Sequence, residues 1–319
     1  MEKIRIGILG TSEIAFRRFL PALMKCKDFD YVGVASRTVE KTGKFVETYG
    51  GRAYSSYEEL LDDEGIDAVY IPLPPALHYQ WATSALEKGK HVFLEKPSTT
   101  ALSDTRALIA MAEERDLVLR ENYMFLYHGQ IKRIQEIFEQ EELGELRLLR
   151  SSFGFPKRSA EDFRYNKELG GGSLLDCGGY PVRLILELLG EEVEVETSKL
   201  YYTDEYEVDL YGDATLSNGN VTAQIGFGMD HEYRCELELW GSRGYLKAPR
   251  IFTAPPEFDV EFDCVVGGES KKLSVGKDDQ FYNSIVYFRE CILDNERRIR
   301  EYTYLEKQSY LVEKIQKEG

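Results

Sequence analysis

Through residues 1–121 the chain alternates between short, almost wholly apolar runs and longer stretches with helical spacing. KIRIGIL, YVGVAS, DAVYIPLP, HVFLE and LVLREN read as strands. Between them, EIAFRRFLPALMKCK, VEKTGKFVETYG, LHYQWATSALEKG and SDTRALIAMAEERD read as helices. A strand that is apolar on both sides has no side to give to water. Helices must cover both faces, and that combination is a parallel, doubly wound sheet. Pro21 predicts a kink in the first helix. Gly50 and Gly89 predict helix ends, and Ser56 with Glu59 predicts a capping box ahead of EELL.

From residue 122 the pattern changes. After the helix GQIKRIQEIFEQ come longer segments with alternation: LRLLRSSFGF, EVEVETSKLYY, VTAQIGFGM, RCELELWG and GYLKA. Asn218-Gly219 and the Gly241–Gly244 stretch are hairpin signals. This predicts an open, mostly antiparallel sheet with helices at its ends, SIVYFRECIL and YLEKQSYLVEKIQ among them. The fold class expected is α/β plus α+β: a Rossmann-type domain over 1–121 and a second domain over 122–319.

Composition narrows the partners. With 40 basic and 56 acidic residues the net charge is −16, which opposes nucleic acid and anionic membranes as general partners. A small anion needs only a few local cations. No apolar run approaches a membrane span, and MEKIRIGILG reads as a strand entrance, not a signal peptide. The five cysteines are scattered without CxxC spacing, as expected of reduced thiols in a cytoplasmic protein. The four histidines are isolated, so no metal site is expected.

GILGTSEIA, residues 7–15, joins the first strand to the first helix. The dinucleotide pattern GxGxxG aligns as Gly10, Ser12 and Ala15, one glycine followed by two small residues. A tight turn, close backbone approach to a pyrophosphate and a helix N-terminus remain available. The alternative is a plain turn. The second strand ends in Ser36-Arg37-Thr38, with Lys41 beyond, where NAD-binding folds place an acid for the ribose. An arginine without an acid suits a 2′-phosphate, so NADP is favoured over NAD; the alternative is a solvated basic surface.

HVFLEKPSTT starts as a buried strand and ends in Glu95, Lys96 and Pro97. Ligands of open parallel sheets bind beyond the carboxyl ends of the strands. Lys96 sits at such an end, and His78 follows another, in PLPPALH. A lysine there is able to neutralise an oxygen that gains charge; the alternative is a surface lysine whose stem lies on apolar neighbours.

Taken together, GILGTSEIA, VYIPLPPALHYQWATSALEKGKHVFLEKP, ENYMFLYHGQ and GGGSLLDCGGYPVR resemble the Gfo/Idh/MocA oxidoreductases over the whole chain. Among these the sugar 3-ketoreductases of nucleotide-deoxysugar pathways match most closely, through RRFLPAL, VTAQIGFGMDHEY and ELWGSRGYLKAPRIFTAPP. The resemblance implies that Lys96, Asp176 and Tyr180 are catalytic. It implies cofactor contacts from Gly10, Thr11, Ser12, Glu13 and Ile14, from Ser36, Arg37 and Lys41, and from Leu73, Pro74 and His78. Glu95, Lys96 and Asn122 complete that set. Lys96, Arg164, Tyr165, Asp176 and Tyr180 are the expected substrate contacts. Many members have histidine where this chain has Tyr180, asparagine at Pro75, and Asp or Asn at Arg183.

The implied reaction is hydride transfer between NADPH and a sugar carbonyl. The oxygen then needs a proton, which Tyr180 supplies. Free tyrosine, with a pKa of about 10, is a weak acid at neutral pH, and Lys96 is the cation that assists it. Asp176, one helical turn from Tyr180, positions the pair. Competing readings are a dehydrogenase of a free sugar, inositol or trans-dihydrodiol, and a non-catalytic NADP-binding regulator; the joint presence of Lys96, Asp176 and Tyr180 argues against the last. Apolar content on both sides of the second sheet, with Ala223, Leu237 and Leu239 on the side left for a partner, predicts a homodimer or homotetramer.

Overall fold

In the computed structural model, which describes residues 3–319, six strands form one parallel sheet. Met1 and Glu2 of the MEKIRIGILG stretch lie outside the described residues. The strands are β1 (Ile4–Leu9), β2 (Phe29–Ala35), β3 (Arg52–Tyr54), β4 (Ala68–Ile71), β5 (His91–Leu94) and β6 (Leu119–Glu121), in spatial order β3-β2-β1-β4-β5-β6. Helices α1 (Leu20–Leu23), α2 (Gly43–Tyr49), α3 (Tyr57–Leu61), α4 (His78–Glu87) and α5 (Leu102–Glu114) connect them. Ile6, Ile8, Val69, Tyr70, Val92 and Phe93 are fully buried, so both faces of the central strands are covered. β3 is three residues of RAY, too short for the pattern to announce.

The helix with Pro21 opens with a π turn at Ala15–Phe19, in which the Leu20 N–H bonds to the Ala15 carbonyl. Pro21 has no N–H to continue the ordinary ladder, and the turn before it widens. Ser56 caps α3 by accepting from the Glu59 N–H at 3.1 Å, while the Glu59 carboxylate returns to the Ser55 N–H at 2.7 Å. The box thus closes one residue earlier than the simple pattern implies.

The second sheet has eight strands, β7 (Leu146–Gly154), β8 (Glu194–Thr203), β9 (Tyr206–Ser217), β10 (Thr222–Gly228), β11 (Arg234–Gly241), β12 (Gly244–Pro249), β13 (Val260–Val266) and β14 (Glu269–Gly276). Their order is β14-β13-β12-β11-β7-β10-β9-β8, antiparallel except for the β7–β10 pair. Both hairpin signals hold: Asn218-Gly219 joins β9 to β10 and Gly241–Gly244 joins β11 to β12. Helices α6 (Gly129–Glu139), α7 (Gly179–Leu189), α8 (Gln280–Leu293) and α9 (Asn295–Glu318) complete the chain. Among the described residues no helix is long and apolar enough to cross a membrane.

One expectation about this sheet is corrected. Ala223, Leu237 and Leu239 do not face outward; they are fully buried with Leu149 and Ile225 on the core side. The outward face is polar and aromatic: Lys247, Glu238, Arg150 and Gln224 run across it in register, beside Trp240 opposite Tyr245 and the stacked pair Tyr201–Tyr211. Period-2 alternation assigns residues to two faces without saying which one is inside.

The chain divides into two compact units, Met1–Asn122 with Phe281–Glu306, and Tyr123–Gln280 with Lys307–Gly319. Most of α8 and the first half of α9 therefore belong with the parallel sheet. Phe288 of α8 stacks on Phe93 of β5 with ring centroids 4.7 Å apart, and Phe93 in turn meets Phe19 and Tyr70. Tyr302 and Leu305 of α9 join the cluster containing Leu108 and Ile109 of α5. Since Phe288 is fully buried, Phe288→Ala should lower unfolding free energy by about 3–5 kcal/mol. Urea denaturation measures this; a loss under about 1 kcal/mol would contradict the packing of α8 on β5.

Candidate active site

In the first unit, the βα turn after β1 is shaped by Gly10. Its φ is +117°, a conformation that favours glycine, and a side chain there would begin 2.7 Å from Leu73 Cδ2, so the turn presents bare backbone. Ser12 caps the following helix, its hydroxyl accepting from the Ala15 N–H at 3.2 Å. Thr11 and Ser36 hydroxyls lie 3.4 Å apart, and Ser36 also accepts from the Thr38 N–H. Glu13 is exposed in an ion pair with Arg17, and Ile14 is half-buried beside it. β2 ends at Ala35 without an acid; Arg37 and Lys41 beyond it are exposed. Arg37 lies beside the Tyr57 hydroxyl, whose pKa burial raises against the arginine's pull. A bare glycine turn, a capped helix start and an accessible arginine fit a dinucleotide with a 2′-phosphate.

The loops after β4 and β5 are tied by one histidine. His78, fully buried, has Nδ1 2.7 Å from the Pro97 carbonyl and Nε2 2.8 Å from the Leu73 carbonyl. Leu73 and Pro74 are half-buried ahead of the short turn Pro75–Leu77. A neutral imidazole has a hydrogen for one of these carbonyls only. Burial pushes the His78 pKa down to about 4, although the Pro97 and Leu73 carbonyls pull it up.

Behind Lys96 lies a chain of polar groups. The Glu95 carboxylate accepts from the Tyr70 hydroxyl at 2.6 Å and from the Asn122 amide at 2.7 Å, both at Oε1. Burial raises the Glu95 pKa; those hydrogen bonds and the Lys96 charge lower it. Asn122 in turn accepts at Oδ1 from the Ser284 hydroxyl of α8 at 2.8 Å. Tyr70 and Ser284, which complete this chain, carry no mark in the sequence: each stands in an apolar run with nothing in its spacing to single it out. The one cue was a tyrosine inside a strand buried on both faces, which needs a partner for its hydroxyl.

In the second unit, Asp176 and Tyr180 stand where a glycine turn enters α7. Gly172 has φ +119°, and a side chain there would begin 2.5 Å from Asp209 Oδ1. Asp209, in β9, instead caps the segment: Oδ2 accepts from the Ser173 hydroxyl at 2.5 Å and the Leu174 N–H at 2.7 Å. Burial raises the Asp209 pKa against these bonds. The turn carrying Asp176 is a π turn, Leu174–Gly178, not the plain α turn expected between Asp176 and Tyr180. Such turns are frequent at functional sites.

Arg164 is held by both neighbouring acids, Nε to Asp176 Oδ2 at 2.7 Å and Nη1 to Asp162 Oδ1 at 3.0 Å. Burial disfavours its charge, but the two carboxylates outweigh that and raise its pKa. Arg164 and Asp176 are thus brought together. Tyr165 is buried, its hydroxyl accepts from the Arg158 N–H at 2.9 Å, and its ring stacks on Tyr206. Tyr180 is buried among Tyr123, Phe125, Phe153 and Phe252, with ring centroids 5.0–5.8 Å away. Arg183, one turn on, is buried with Glu187 at 3.6 Å. Among the described residues no group of three or more His, Cys, Asp or Glu is placed to hold a metal ion.

The His78 environment predicts a pH dependence. The unfolded histidine takes a proton near 6.5 and the folded one only near 4. The unfolded state binds more protons in that window, so stability should fall as pH drops from about 6.5 to 4, by about 1–3 kcal/mol for this residue. Urea denaturation of the wild type and His78→Asn across that window checks it: the variant should show the shallower slope, and equal slopes would mean that folded His78 is already charged.

Comparison with known proteins accords with both halves. Residues 4–123 match the oxidoreductase family with an NAD-binding Rossmann fold, and residues 131–247 match the GFO/IDH/MocA C-terminal domain. A dTDP-3,4-didehydro-2,6-dideoxy-alpha-D-glucose 3-reductase from Saccharopolyspora spinosa is 41% identical over 91% of this chain and 87% of its own length. The reductase of the same name from Streptomyces violaceoruber is 43% identical over 79% of this chain and 74% of its own. A solved structure of a 3-ketoreductase from Actinomadura kijaniata, in complex with NADP and TDP-benzene, superposes with a TM-score of 0.96 at 36% identity, covering 99% of this chain and 98% of that one. Solved variants of that enzyme replace one lysine by alanine and one tyrosine by phenylalanine.

Proposed function

Because the chain belongs to the GFO/IDH/MocA oxidoreductases, we propose that it is an NADP-dependent 3-ketoreductase acting on a dTDP-linked deoxysugar. The observation that carries this reading is a spacing. Lys96 and Tyr180 are the same number of residues apart as the lysine and tyrosine replaced in the Actinomadura kijaniata variants. NADP in that structure, and four dTDP-sugar 3-reductases at 37–43% identity, support the cofactor and the substrate class.

When bound, NADPH supplies the hydride. The chain's own residues handle the oxygen. Tyr180 gives its phenolic proton to the oxygen as that oxygen becomes an alkoxide. Lys96 provides the positive charge that makes this transfer favourable at neutral pH. Asp176, held by Arg164, orients the sugar hydroxyl beside the reacting carbonyl. Aromatic rings around Tyr180 exclude water, which strengthens the electrostatic part of the reaction. Turnover assays with NADPH against a dTDP-3-keto-deoxysugar, free sugars, inositol and trans-dihydrodiols test the reading. Reduction of the nucleotide sugar is expected; turnover of the free substrates alone would assign the enzyme to them.

Lys96→Ala and Tyr180→Phe should each lower kcat about 10²–10⁴-fold with NADPH binding retained. An unchanged kcat for Tyr180→Phe would remove the phenol from the proton-donor role. Arg37→Ala should weaken NADPH by about 1.5–3 kcal/mol and leave NADH nearly unaffected. Equal losses for both cofactors in fluorescence titrations would take Arg37 off the 2′-phosphate.

The outward face of the second sheet supports a homo-oligomer. Trp240 is 52% exposed and Tyr245 39% exposed, opposite each other beside the charged rows of Arg150, Glu238 and Lys247. Aromatics ringed by self-complementary charges suit an isologous twofold contact. Light scattering across a dilution series should give at least twice the 36.7 kDa of one chain; a monomer throughout would exclude it. Five buried thiols support a reducing, cytoplasmic setting.

A further inference from the structure

The groups behind Lys96 form a chain in which every hydrogen bond has an enforced direction. It starts at Arg120, fully buried in β6, with its guanidinium over the rings of Phe93 and Tyr287 and its Nε 3.4 Å from the Glu301 carboxylate. A guanidinium only donates. Its Nη1 donates to the Ser284 carbonyl at 3.0 Å and its Nη2 to the Ser284 hydroxyl oxygen at 3.1 Å. The hydroxyl, made an acceptor by arginine, has its own hydrogen left for the next group, Asn122 Oδ1 at 2.8 Å. That bond sets the amide: with Oδ1 turned to Ser284, Nδ2 faces Glu95 Oε1 at 2.7 Å. The last member, Glu95, adjoins Lys96 in sequence, and the Lys96 charge acts on it.

We propose that Ser284 and Arg120 are positioning residues for Lys96: they orient the Asn122 amide so that its N–H end meets Glu95, and so fix the carboxylate beside the lysine. The proposal rests on the reading of Lys96 as a catalytic residue. Neither Ser284 nor Arg120 needs to touch substrate. The links from Arg120 to Ser284 and from Ser284 to Asn122 are buried and the one from Asn122 to Glu95 partly so, which limits competition from water and lets each link set the next. Without the Ser284 hydroxyl the Asn122 oxygen loses its donor, and only the bond to Glu95 is left to hold the amide. An amide held at one end only no longer fixes the Glu95 carboxylate, and the loop that carries Lys96 is loosened with it.

A double-mutant cycle tests this. Ser284→Ala should lower kcat about 10-fold, the scale of one buried hydrogen bond, with the KM for the sugar within about 2-fold. Ser284→Thr, which keeps a hydroxyl, should recover most of the loss. In a Lys96→Ala background the same Ser284→Ala change should alter kcat less than 2-fold, because the group it positions is gone. Equal losses in both backgrounds would overturn the proposal, as would a folded Ser284→Ala enzyme with wild-type kcat. A fully active Lys96→Ala enzyme is a separate outcome, which overturns the catalytic reading of Lys96 and the positioning role with it. Should alanine not fold, Ser284→Cys gives the same comparison, since a thiol fills the volume and donates weakly.

Discussion

A carboxylate placed at the end of a buried parallel strand must be satisfied by its neighbours, and the first unit is organised around that demand at Glu95. β5 carries its charge into the region where β4 and β6 also end. An unpaired charge there would be costly. Tyr70 from β4 and Asn122 from beyond β6 both turn their donors to one oxygen, Oε1. The Asn122 amide oxygen then needs a donor of its own, and α8 supplies it through the Ser284 hydroxyl. The requirement spreads outward from one oxygen to Arg120 and Glu301. Packing of Phe288 on Phe93 lies alongside the same path, so apolar and polar contacts hold the same helix in place.

The second unit meets an equivalent demand at Asp209. Here the buried carboxylate serves the Ser173 hydroxyl and the Leu174 N–H at the start of the segment bearing Asp176 and Tyr180. Negative charge suits that end of a helix. Gly172 is what lets the chain turn close against the acid. Gln308 of α9 reaches the Gly179 carbonyl at 2.9 Å and the Tyr123 hydroxyl at 3.3 Å, bracing the same helix from behind. Helical elements, not loops, thus set the positions of Asp176 and Tyr180.

Much of this was legible in the sequence, for a physical reason. Strands such as AVYI and HVFL are apolar on both faces because helices cover both, and that mark is plain in the residue order. The glycine turn at Gly10, the arginine at position 37 and the lysine at position 96 were legible because their chemistry follows from where strands end. What escaped notice was of another kind. β9 is the longest strand of the second sheet, yet Asp209, Gly212 and Asp213 interrupt its apolar pattern. Its buried acid is a cap and its glycine gives way to Leu200, whose side chain would meet a Cβ there at 2.7 Å. β14 is mostly exposed at the sheet edge, where little selects for apolar residues. Ser284 and Arg120 draw their roles from pairing over more than 160 positions, and no local pattern encodes that. The outward side of β10 and β11 was mistaken for the inward one, an error to which a two-residue period is always open.

The return of residues 281–306 to the parallel sheet also bears on how the protein is made. Synthesis proceeds from the amino end, and the six strands of the first sheet are complete by residue 121. A nascent chain that has emerged only to residue 280 has Phe93 without Phe288, Asn122 without Ser284, and an arginine at 120 whose α8 and α9 acceptors do not yet exist. Its parallel sheet therefore lacks the apolar and polar contacts that α8 and α9 bring to it. Those contacts form only after the whole second sheet has been translated, because residues 123–280 separate the two parts of the first unit.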